Sequence, residues 1–182
     1  MTISSAWPYV ADALVAKMRA RTGYCSPTSG SAGIPVYHSV EVGLSSASPS
    51  SGILVIGWIG DPDSDPTDPG TSGQSSAALS ARHPREEHGT VLCRSIVHVG
   101  DAQLGSDPTA AGTVSGVLRQ AFRIADDVDA MIRADPSLGL MNGNPDMQTL
   151  TAYITGFPVI HPWLNEGIVA SLEFTVSFIA RI

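Results

Sequence analysis

The chain of 182 residues holds five histidines, two cysteines and a run of closely spaced aspartates, the side chains best equipped to bind a metal or drive a reaction. Asp61, Asp63 and Asp65 alternate within the segment 60–70, and oxygen ligands at alternate positions are what a calcium loop supplies. Such a loop also requires glycine at its sixth position and glutamate at its twelfth. Pro66 and Ser72 stand there instead, and Pro62 and Pro66 stiffen the segment. It reads as an acidic, solvated loop. His83, His88, Cys93 and His98 recur at intervals of five. Zinc needs converging ligands, but on a strand Cys93 and His98 fall on opposite faces. A nucleophile with its base could be drawn from Cys93 and His98, or from a serine with His161 and Asp146, yet no G-x-S-x-G elbow frames a serine. Cys93 reads as a small buried hydrophobe. His161-Pro162-Trp163 reads as a structural corner, with Trp163 closing one end of the core. Gly57-Trp58-Ile59-Gly60 lacks the Lys-Ser/Thr pair and the following helix of a phosphate loop. The small residues of 112–116 read as a place where a helix approaches a strand. The sequence therefore predicts no catalytic, cofactor-binding or metal-ligating residue, and no cofactor.

The elements that would position these side chains follow from periodicity. From Ile168 to Ile182, apolar and polar residues alternate without a break. Ile168, Ala170, Leu172, Phe174, Val176, Phe178 and Ala180 share one face, so the segment is a long strand with one buried side. At about 3.3 Å per residue it spans roughly 45 Å. Such a strand is expected to organise the domain from its centre. Thr90–Val99 alternates in the same way, with Val91, Cys93, Ser95, Val97 and Val99 on one side. Val36–Leu44 and Ile53–Ile59 are further strands, the second apolar on both faces, with 45–52 as a hairpin-type link. Met147–Phe157 is a strand that continues through an irregular corner at 160–167 into the last one.

Two helices complete the set. Ser4 or Ser5 is expected to cap the first, which runs to about Arg21 with Trp7, Val10, Leu14 and Met18 on one stripe. Gly23 is the expected residue just past its end. The second is expected to start at Asp107-Pro108 and to carry the stripe Val114, Val117, Leu118, Ala121, Ala125, Val128 and Ile132. Asp129 and Arg133 form an i,i+4 pair along it, and Asp135-Pro136 ends it. Residues 60–88 form a long polar insertion that closes on Arg82, His83, Arg85, Glu86, Glu87 and His88; loops of that length are functional or mobile. The expected fold is α+β: a mainly antiparallel sheet of about four or five strands, two helices packed on one face, and one domain over residues 1–182.

Composition narrows the function. Hydrophobic residues make up 43% of the chain, too many for disorder, while 18 glycines and 13 prolines indicate much loop. The net charge of −7 argues against gripping nucleic acid or an anionic membrane. Two distant cysteines make no disulfide framework and are expected to be reduced thiols. Met1–Tyr9 has no secretory character, and no apolar run is long enough to span a bilayer. A protein of, or assembled in, the cytoplasm is expected.

The arrangement resembles the tail terminator proteins of long-tailed bacteriophages. Four features carry the resemblance: the amphipathic opening from Trp7-Pro8-Tyr9-Val10 to Arg21; the strand Ile53-Leu54-Val55-Ile56-Gly57 before a polar insertion; the helix ending Asp126-Asp127-Val128-Asp129-Ala130-Met131-Ile132; and the closing strand from Gly167 to Val176. It spans roughly 5–60 and 90–182 and is one of architecture and size. The 60–88 insertion is longer than the family pattern requires. The resemblance implies a structural virion protein, not an enzyme. It would cap the tail tube, end its polymerisation and form the head-joining surface as a ring, usually a homohexamer. The implied partners are copies of itself, the tail tube protein and a head–tail connector protein, with the protein assembled in the host cytoplasm and resident at the head-proximal end of the tail. DNA would pass through the ring without specific binding. The alternatives are another head–tail connector or minor tail protein, a small hydrolase built around Cys93, His98 or His161, and a carbohydrate-binding module, for which the aromatic content of 6% is low.

Overall fold

Period-two and period-3.6 patterning together set the elements. The computed structural model describes residues 5–27, 33–38, 52–57, 86–100, 114–142, 147–164 and 167–182. Helix α1 (Trp7–Ala20) precedes strands β1 (Tyr24–Cys25), β2 (Ile34–His38), β3 (Ile53–Ile56) and β4 (Glu86–Gly100). Helix α2 (Val114–Ala134) and strands β5 (Thr149–Leu164) and β6 (Gly167–Arg181) follow. The strands form one mixed sheet in the order β1-β2-β3-β4-β6-β5. The fold is thus α+β, with six strands where about four or five were expected.

The expected one-sided closing strand is β6. Its Ala170, Leu172, Phe174, Val176, Phe178 and Ala180 are all buried. They join Val91, Cys93, Val97 and Val99 of β4 and the buried residues of both helices in a single core. β6 lies between β4 and β5, antiparallel to each. It pairs with β4 along its whole length, from Glu86 opposite Arg181 to Gly100 opposite Gly167.

Several local expectations are corrected. β2 runs parallel to β3, and β1 parallel to β2. A tight hairpin cannot join parallel neighbours, so the hairpin reading of 45–52 fails, although 45–51 itself lies outside the described residues. β1 is a strand that periodicity does not predict, because two residues carry no period. The corner at His161-Pro162-Trp163 is extended backbone within β5, opposite Ser171, Ala170 and Val169. The irregularity falls earlier, between Thr155 and Val159. Glu86, Glu87 and His88 belong to β4 rather than to the insertion.

At α1 the cap position is Ala6, with no side-chain cap, and Gly23 lies beyond the Arg21 cap, in the turn before β1. Val10, Leu14 and Met18 are buried as expected, and Ala11 and Val15 widen the stripe. In α2 the buried stripe is Val117, Ala121, Ile124, Val128, Met131 and Ile132. Val114 is exposed instead. Helix α2 ends before Asp135-Pro136 as expected, and Arg133 Nε donates to Asp129 Oδ2 at 2.6 Å. The Asp107-Pro108 start and the 112–113 glycine region lie outside the described residues.

Both sheet edges are short or obstructed. β1 contributes two residues. Along β5, Pro158 and Pro162 carry no N–H, and proline within sheets is confined to edges and bulges. The Ala152 N–H donates to the Pro136 carbonyl at 2.9 Å, so the turn after α2 covers part of that edge. Such devices hold off pairing with foreign strands.

Gly89 sits directly opposite Phe178, and the phenyl ring lies in the space that a β-carbon on Gly89 would fill. A Gly89→Ala substitution is therefore expected to destabilise the fold by about 1–3 kcal/mol through overpacking. Combining it with Phe178→Leu should recover part of that loss. Urea denaturation of the three variants checks this; a Gly89→Ala protein as stable as the parent would refute the packing.

Candidate functional site on the outer face of the long ribbon

The side chains able to do chemistry divide between the two faces of β4. Cys93 points into the core and is fully buried. Its Sγ lies 3.8 Å from the Val91 carbonyl, and loss of solvent pushes the thiol up to about 12. Such a thiol holds its proton and is a poor nucleophile. His98 stands five residues on, half-buried on the other face, opposite Val169. The two do not meet, as the spacing predicted. His88 is exposed on the outer face and lies 2.7 Å from Glu86 Oε1. Among the described residues no three histidine, cysteine or acidic side chains converge on a metal position. Asp61, Asp63, Asp65, His83 and Asp146 lie outside the described residues. Both cysteines are free and buried.

The outer face of the β4–β6–β5 ribbon carries both polar and apolar groups turned away from the helices. At its middle Arg94 stands opposite Glu173. Arg94 Nε donates to Ser171 Oγ at 2.6 Å and lies 3.5 Å from Glu173 Oε1. Arg94 and Glu173 expose 13% and 26% of their side chains. This pair is more sheltered than an open surface bridge, which contributes little. Thr155 and Ser177 hydroxyls meet across β5 and β6 at 2.5 Å. Leu92 lies between these groups and Ile96 and Ile179 lie beyond them on either side, all three half-buried, and Tyr153 is exposed. Ile53 and Val55 of β3, which register with Ile96 and Arg94 on this same side, are buried. The face combines apolar side chains with internally paired charge.

Sequence reasoning missed the most consequential acid. Glu87, read as part of the insertion, is buried on the inner face of β4. Its Oε1 accepts the Ser5 hydroxyl at 2.6 Å, and its Oε2 accepts the Ala6 N–H at 2.8 Å. A carboxylate at a helix N-terminus satisfies orphan donors and matches the helix dipole. Ser5 is thus part of the start of α1: its hydroxyl donates to Glu87 while its Oγ accepts the Trp7 N–H at 3.2 Å, so it serves the helix start from one position before the Ala6 cap. The Trp7 indole N–H adds a bond of 2.7 Å to the Thr90 carbonyl. The available signal was parity: Glu87 and Gly89 continue the inward set Val91, Cys93 and Ser95.

Other ionisable groups also tie elements together. Asp127 of α2 accepts the Tyr24 hydroxyl at 2.8 Å and pairs with Arg21 at 2.7 Å. Burial, followed by the bond to Asp127, raises the Tyr24 pKa well above the usual phenol range. Asp135 accepts the Ser137 hydroxyl at 2.6 Å and the Lys17 ammonium at 2.9 Å, and these bonds, that to Ser137 first, hold its carboxyl below the ordinary value. No protein-family model matches the chain, and no curated protein matches it.

Two outcomes follow from these contacts. Replacing Glu87 with alanine strands the Ser5 hydroxyl and the Ala6 N–H and should cost about 2–3 kcal/mol, the scale of a bond to a charged group. Urea titration by circular dichroism measures it, and a change below about 0.5 kcal/mol, the scatter of neutral surface changes, would refute the anchor. The Cys93 thiol titrates at about 12 when folded against 9.0 ordinarily. Above pH 9 the unfolded chain therefore binds fewer protons than the native one, and stability should fall as pH rises toward 12. Tyr24 adds to the fall from pH 10 upward. Cys93→Ala should flatten the part of the slope that begins near pH 9, read from denaturant midpoints across the alkaline range.

Proposed function

We propose that this protein is a structural component of a long-tailed phage virion, a ring-forming terminator that caps the tail tube, stops its growth and presents the head-joining surface. The observation that carries the reading is the position of β6: the closing strand is the interior member of a long antiparallel ribbon backed by both helices. That is the architecture on which the resemblance rests. The disposition of the polar groups supports it. Cys93 is sealed in the core, and Glu87, Asp127 and Asp135 hold elements together, so none of these is available for catalysis.

In this reading the protein is not an enzyme and needs no cofactor. It works beside copies of itself, tail tube protein and a head–tail connector protein, at the head-proximal end of the tail. A closed ring needs one heterologous contact repeated by rotation. β6 offers no free edge for it, because β4 and β5 occupy both sides, and the edges of the sheet are short or obstructed. Subunit contacts in the ring therefore use side-chain surfaces rather than added strands. The net charge of −7 suits a channel through which DNA passes, since like charge repels the duplex rather than trapping it.

Light scattering coupled to size exclusion, alone and with polymerising tube protein, tests the proposal. A six-fold mass or ring, and tubes whose growth stops when the protein is added, are the expected results. A strict monomer that leaves tube length unchanged would overturn it. Binding to completed tails without any effect on tube growth would instead identify a different connector or minor tail protein.

A further inference from the structure

We draw no further inference here: the strongest candidate, the outer face of the β4–β6–β5 ribbon around Leu92, Ile96 and Ile179, is a sheet face unpartnered among the described residues, and nothing in the structure shows what covers it.

Discussion

The full-length pairing of β4 with β6 is the constraint on which the other described elements depend. It sets two alternating faces side by side over fifteen residues each. One face becomes the floor of the core, and the other becomes the outer surface. β3 and β5 attach to the flanks of this pair. Ser95 shows how closely the helix layer lies on it: the buried hydroxyl donates to the Ala121 carbonyl of α2 at 3.0 Å. The residue whose carbonyl is reached is an alanine, buried in the same core. Hydrophobic burial supplies most of the driving force in such an arrangement, and bonds of this kind fix where the helix rests.

Acidic side chains act as fasteners between layers. Glu87 joins the start of α1 to β4, Asp127 joins its far end and β1 to α2, and Asp135 joins Lys17 to the turn after α2. Each carboxylate meets at least one donor contributed by a different element. This explains how a chain with a charged fraction of only 15% can include a buried glutamate. A buried acid is tolerated where several donors satisfy it, and here those donors are a helix N-terminus and a serine.

Much of this was legible in the sequence where a period ran long. The alternation from 168 to 180 placed every inward residue of β6 whose burial is described, and the Thr90–Val99 alternation did the same for β4. Helix limits at Arg21 and Asp135-Pro136 were readable because charge and proline mark them. Segments without a period carry no such mark. Two residues of β1 give no pattern. Parallel pairing of β2 with β3 depends on a partner choice that side-chain alternation does not encode. Glu86–His88 looked like loop because charge outweighed parity. Ile124 and Met131 were missed by starting the α2 stripe at Val114, which shifts its face by part of a turn. Pro158 and Pro162 could have marked β5 as an edge, had the segment not been read as a corner. Of the candidate chemistry, the separation of Cys93 from His98 followed directly from odd spacing. The Arg94–Glu173 pair needed the register between two distant strands, which the chain alone does not reveal.

A long strand pair with strict alternation has a hidden degeneracy. Sliding one member by a single position inverts its faces and is strongly disfavoured, but a slide of two positions leaves inside and outside unchanged. The notch at Gly89, filled by the ring of Phe178, breaks that ambiguity. A slide of two would set Phe178 against Glu87 or Val91, where no notch receives the ring, and would move Phe178 or Glu87 away from its present neighbours. The missing side chain at position 89 thus acts as an index mark that selects one alignment from a ladder of near-equivalent ones.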